Sequence, residues 1–119
     1  MKLNSVAGVA YYVSNIDRTV KFYTDLGFLT GVHEKSYATV RLNWFWIEFF
    51  QQEMKKGATS QDIEGVIVSI KVDDAGEAYK ELLGEKLKPE TEPTEKLKGK
   101  KEFVLKDPDG YTLLFFSKK

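Results

Sequence analysis

The 119-residue chain has no cysteine, which excludes disulfide staples, thiolate nucleophiles and thiolate metal ligands together. It has a single histidine, His33, and a lone imidazole without partners reads as a surface residue rather than a metal ligand. It also lacks net charge, because 18 basic residues balance 18 acidic ones. No broad electrostatic field therefore draws it to nucleic acid or to an anionic membrane, and any binding must come from a local site. No stretch approaches the roughly 18 consecutive apolar residues of a membrane span, and the first ten residues lack the apolar segment of a signal peptide. The expectation is a soluble cytoplasmic protein with neither nucleic acid nor membrane among its partners. Aromatic residues, in contrast, make up 13% of the chain, and with no net repulsion to oppose contact between apolar patches they favour self-association.

What is present is a strand running into a capped helix, written twice. GVAYYVSNIDRTVKFYTDLGF begins at Gly8, and IVSIKVDDAGEAYKELLG begins at Ile67; Val13 and Val72, which close the two strands, stand 59 residues apart. The chain reads as one domain, residues 1–119, made of two tandem modules: module one over about 1–53, a polar, glycine-punctuated linker over about 54–65, and module two over about 66–119. A cleft near the pseudo-symmetry axis of such a pair is a natural ligand site. In module one a strand over residues 6–13 leads to a helix over 16–26, capped by Asn15 or Ser14, with Ile16, Val20, Tyr23 and Leu26 on one stripe, Phe22 widening it and Gly27 at its end. In module two a strand over 66–72 precedes a helix over 75–83, capped by Asp73 or Asp74 and ended by Gly84, with Ala75, Ala78, Tyr79 and Leu82 inward. Pro89 and Pro93 confine any strand in the charged run after it to a sheet edge.

SYATVRL and FWIEFF flank Asn43 and Trp44, which predicts a two-residue hairpin turn. In that register Leu42 opposes Phe45, Val40 opposes Ile47 and Ala38 opposes Phe49 on a wholly apolar face. Arg41 opposes Trp46, Thr39 opposes Glu48 and Tyr37 opposes Phe50 on the other, which mixes aromatics with one cation and one anion. The first face suits a covering helix and the second a ligand. Arg41 is the expected partner of the Glu48 carboxylate and can also stack on Trp46. The carboxylates of Asp107 and Asp109 in KDPDGY read as turn chemistry rather than as catalytic acids.

FYTDLGF at the end of the first helix, WIEFF in the fourth strand and FVLKDPDGYTLLFF at the end resemble the vicinal oxygen chelate superfamily, which includes glyoxalases, extradiol dioxygenases and bleomycin-resistance proteins. The resemblance covers nearly the whole chain. It implies an α+β fold, with two tandem βαβββ modules forming a concave mixed sheet that encloses ligands, usually in a homodimer. In the metal enzymes of the family four ligands come from equivalent places in the modules, and those places fall here on Gly8, Glu48, Ile67 and Leu114. Glycine has no donor atom and Ile and Leu cannot bind a divalent ion, so one position of four remains and no cofactor or metal is expected.

Residues sharing the face of those positions give the expected ligand site: Tyr12, Tyr37, Arg41, Trp46, Glu48 and Phe50 from module one, and Ser69, Lys71, Leu114 and Phe116 from module two. Tyr12, Trp46 and Phe50 offer flat surfaces for an aromatic or planar molecule, while Arg41 and Lys71 suit a carboxylate or phosphate. The alternative is that these aromatics only close the barrel or a dimer interface; Trp44, at the hairpin tip, is expected near a dimer interface or the mouth of the cleft. Three functions follow: metal-independent binding or sequestration of a small molecule, as in the bleomycin-resistance branch; a lyase, isomerase or oxygenase with Glu48 as its catalytic candidate; or a structural relic of the fold.

Overall fold

Alternation along the first strand decides which face of the first sheet is covered. In β1 (Gly8–Val13) Tyr11 and Val13 are buried while Ala10 and Tyr12 are exposed. The computed structural model describes residues 1–52, 65–97 and 99–118; the expected linker lies outside them except for Gly65. Two units follow one another, Met1–Thr59 and Ser60–Lys119, and each has the element order of one βαβββ module.

In the first unit β1 leads to α1 (Ile16–Leu26), β2 (Leu29–His33), β3 (Tyr37–Leu42) and β4 (Phe45–Gln51). Asn15 is extended, and its side chain accepts from the Arg18 N–H at 3.0 Å. Gly27, at φ 116°, ends the helix in the left-handed conformation that a side chain would oppose, and its N–H donates to the Thr24 carbonyl. The buried stripe is Ile16, Thr19, Val20 and Tyr23. Thr19 joins it because it lies three residues after Ile16 and four before Tyr23, whereas Phe22 and Leu26 are only half-buried at its margins. Tyr23 is the centre of this core, with ring centroids 5.1 Å from Phe49 and 5.3 Å from Phe28.

The strand order is β1-β4-β3-β2, with β4 parallel to β1 and antiparallel to β3. The β3–β4 register is the one the hairpin pattern predicts, from Leu42 opposite Phe45 to Tyr37 opposite Phe50. Asn43 carries the turn at φ 54°, a conformation asparagine tolerates better than most residues. α1 covers one face of this sheet and leaves the other open.

The second unit repeats the plan with β5 (Ile67–Lys71), α2 (Ala75–Gly84), β6 (Thr94–Leu97), β7 (Lys100–Lys106) and β8 (Thr112–Ser117), in the order β5-β8-β7-β6. Asp74 caps α2 by accepting from the Glu77 N–H at 3.1 Å. The expected stop at Gly84 is one residue early: Gly84 is helical, the Glu85 N–H donates back to Glu81 and Leu82, and Lys86 at φ 65° makes the left-handed turn. β6 pairs only with β7 and is an edge, as Pro93 before it requires. In the turn after β7 the buried Asp107 carboxylate accepts from the N–H groups of Asp109 and Tyr111, both at 2.9 Å. Both bonds go to its Oδ1, which serves the turn.

Both helices are tied to the last residue of their own final strand. The first turn of a helix leaves N–H groups without intrahelical partners. The Ile16 N–H donates to the Gln51 side-chain oxygen at 3.2 Å, and the same Gln51 amide donates to the Ser14 carbonyl. In the second unit the Ala75 N–H donates to the Ser117 hydroxyl at 2.9 Å. Among the described residues no helix is long and apolar enough to cross a membrane. Removing the α1 cap by Asn15→Ala is expected to lower stability by about 1 kcal/mol, measured as a reduced urea midpoint with an unchanged slope.

Candidate functional site

The ladders of the first sheet set three rows of side chains across its open face. The parallel β1–β4 register puts Gly8 beside Trp46, Ala10 beside Glu48 and Tyr12 beside Phe50. The antiparallel β3 adds Arg41, Thr39 and Tyr37 to those rows in turn. All six residues expected from module one therefore share one face.

Trp46 shapes the first row. A Cβ at Gly8 would run into the main-chain carbonyl of Trp46, whose N–H is bonded to the Ala7 carbonyl at 2.9 Å. On the other side, a Cβ at Gly31 would stand 2.8 Å from the indole Cζ3, so glycine is what lets the ring lie over β2. The Arg41 guanidinium sits 5.8 Å from the Trp46 ring centre, a cation–π distance.

The second row holds the carboxylate. Glu48 is half-buried, and its Oε2 accepts from the Tyr37 hydroxyl at 2.8 Å. The expected Glu48–Arg41 pair does not form: Arg41 is committed to the indole, and a tyrosine takes its place. Thr39, beside Glu48, accepts the Val32 N–H at 2.9 Å where the β2 ladder shifts register between Thr30 and His33. In the third row Phe50 links the tyrosines, with ring centroids 6.1 Å from Tyr12 and 5.2 Å from Tyr37.

Over the first two rows, and reaching Tyr37 of the third, lies an open depression of about 620 Å³, the size of a small-molecule site. Small residues of β1, Gly8 and Ala10, and the shifted segment of β2, Gly31 and Val32, leave it room. Trp46, Tyr37 and Glu48 supply its large side chains. Tyr12, Phe50 and Arg41 are on the same face but outside its wall. Gly31 and Val32 escaped the sequence reading, although a glycine inside a strand is a signal of close approach. The expected residues of module two lie on the corresponding face of the second sheet, where Ser69 pairs with Leu114 and Lys71 with Phe116. There Lys100 stands over Phe116 at 4.9 Å and Lys106 donates to the Thr112 hydroxyl at 2.6 Å.

The donor set does not fit the metal site that the resemblance implies. Gly8 has no side chain and no space for one, Ile67 and Leu114 offer only carbon, and Glu48 is bonded to Tyr37. The imidazole of His33 is 2.8 Å from the Asp17 carboxylate. Among the described residues no three His, Cys, Asp or Glu side chains are grouped to hold an ion.

The Tyr37 phenol is pushed above the usual tyrosine value, first by its hydrogen bond to Glu48, then by loss of solvent and by the negative charges of Glu48 and Glu34. A raised phenol keeps its proton, so the Tyr37–Glu48 bond persists up to the ordinary tyrosine value of about 10 and is lost only as pH rises through the higher value. The difference in phenolate absorbance between wild type and Tyr37→Phe is expected to titrate above about 10, and Glu48→Gln to bring it down. Gly8→His, the simplest attempt to restore a ligand, is expected to gain no metal in a zinc or nickel titration and to lower stability by about 1–3 kcal/mol through overpacking.

Solved structures agree with this architecture. A virulence protein from Salmonella typhimurium matches with a TM-score of 0.77 at 19% identity, covering 98% of each chain. A lactoylglutathione lyase from Agrobacterium tumefaciens matches with a TM-score of 0.76 at 14% identity, covering 98% of this chain and 96% of the other. A glyoxalase/bleomycin resistance protein/dioxygenase from Nocardioides matches with a TM-score of 0.76 at 15% identity, covering 98% and 85%. At these identities the likeness is one of fold. No curated protein matches by sequence. The family model for the glyoxalase/bleomycin resistance protein/dioxygenase superfamily matches residues 2–115, and the chain belongs to that superfamily.

Proposed function

We propose that this protein binds a small molecule in the depression of its first sheet without the help of a metal ion, as a binding or sequestration protein rather than a metal-dependent lyase or oxygenase. The observation that carries the reading is the combination found around Trp46: room for a ligand of modest size beside a family metal position, Gly8, that no side chain can occupy. A site built around Lewis-acid chemistry needs several N or O donors converging on one point. What converges here is a flat indole, a phenol and one carboxylate, a composition suited to holding a ligand by contact area and a few directed hydrogen bonds. The neutral net charge and Trp44, 92% exposed at the hairpin tip, support self-association within this reading.

Two measurements on protein purified without chelator test it. Elemental analysis is expected to find less than one transition-metal ion per chain. A charge-balanced fragment set, followed by ¹H–¹⁵N NMR, is expected to shift the amides of Gly8, Ala10 and Gly31 and the indole N–H of Trp46 together. Stoichiometric tightly bound metal would overturn the metal-independent part, and a set that shifts none of these resonances would overturn the binding part.

A further inference from the structure

We propose that the depression selects a cationic ligand, one carrying an ammonium, amidinium or guanidinium group on a flat apolar body, with Glu48 as the group that reads the charge. This rests on the binding reading and adds to it the class of molecule bound.

Three observations carry the assignment. Glu48 is the one charged side chain in the wall of the depression; every other residue there is apolar, small or hydroxyl-bearing. Among the described residues no lysine, arginine or histidine forms an ion pair with it. Arg41, which could have neutralised it from the neighbouring row, is held over the Trp46 ring instead. A carboxylate has acceptor capacity for about four hydrogen bonds, and Tyr37 uses one of them on Oε2. The remaining capacity belongs to a half-buried anion that no protein cation satisfies, and such a group is stabilised most by a cation that donates to it directly.

The surroundings favour the same sign. The Tyr37 phenol donates to Glu48 and so fixes the carboxylate while leaving its charge in place. The Glu34 carboxylate acts on the same phenol and adds negative potential at that end. The face of Tyr37 attracts cations through its ring quadrupole, whereas that of Trp46 already serves Arg41. An anionic ligand would meet Glu48 across the depression with no counter-charge in its wall.

Three indole probes of matched shape separate these cases: tryptamine, tryptophol and indole-3-acetate, titrated by calorimetry and by NMR at low ionic strength. Tryptamine is expected to bind about tenfold more tightly than tryptophol, the equivalent of about 1.4 kcal/mol, with indole-3-acetate weakest. In Glu48→Gln, checked for folding by its thermal midpoint, that preference is expected to collapse; in Glu48→Asp, which keeps the charge, it is expected to persist. Equal binding of the three probes, tighter binding of indole-3-acetate, no binding of any of them, or a preference that survives in Glu48→Gln would overturn the cation assignment. The binding reading itself falls only if the whole charge-balanced fragment set leaves the depression unshifted, so the two failures are distinguishable.

Discussion

The parallel ladder between the first and last strands of a module is the contact on which its other features depend. β1 and β4 are separated in sequence by a helix and two strands, yet they run side by side in register from Gly8 with Trp46 to Val13 with Gln51. β5 and β8 do the same from Ile67 to Lys71. A parallel pair cannot be joined by a tight turn, so the intervening chain must cross over, and α1 is the crossover that covers one face. Once that face holds Tyr23, Phe49 and Tyr11, the period of two leaves Gly8, Ala10 and Tyr12 on the other. The open face of the first sheet is thus a by-product of how its core is closed. Except at Gly8 and Gly31, where a Cβ has no room, its positions are free to vary without touching the core.

That freedom explains how a superfamily fold persists here without its usual donors. Glu48 and Leu114 occupy equivalent places in the two modules, one hydrogen-bonded to a phenol and the other paired with Ser69 on a sheet of its own. The first-strand position is different in kind. At Gly8 the backbone of β1 lies so close to the Trp46 carbonyl that the main chain, and not only the side chain, has departed from what a ligand would need. Changing a side chain is a local event, whereas reopening a strand pair moves every residue in register with it. The indole that lies beside Gly31 consolidates the change from the β2 side.

Much of the fold was legible because it rests on local rules. The hairpin register followed from alternation about Asn43 and Trp44, since a slip of one residue would have turned Ile47 and Phe49 to the open face. Asn15 and Asp74 were recognisable as caps because their short acceptors precede amphipathic runs. Gly84 misled because glycine near a helix end usually takes the left-handed turn, and here Lys86 takes it two residues later. The face of the site could be read, but the pairing within it could not. Arg41 had two attractive neighbours, Trp46 and Glu48, and choosing between them depends on where the β2 shift places Gly31 under the indole. The one trace of that shift in the sequence is Gly31 itself, a glycine inside a strand, which marks an irregularity without saying which neighbour Arg41 takes.

Gln51 and Ser117 give each module a further property. Each stands at the end of a module's last strand and satisfies the first N–H of the module's own helix. A helix so arranged has its N-cap from its own segment but lacks the partner of its first N–H until the final residue of its module is in place. As the chain leaves the ribosome, α1 cannot complete its capping from its own segment, and the sheet beneath it cannot close until β4 arrives. The module is therefore the smallest length of chain that settles as a whole. A duplication that copied anything shorter would have copied a helix with its first N–H unsatisfied and a core open along one strand.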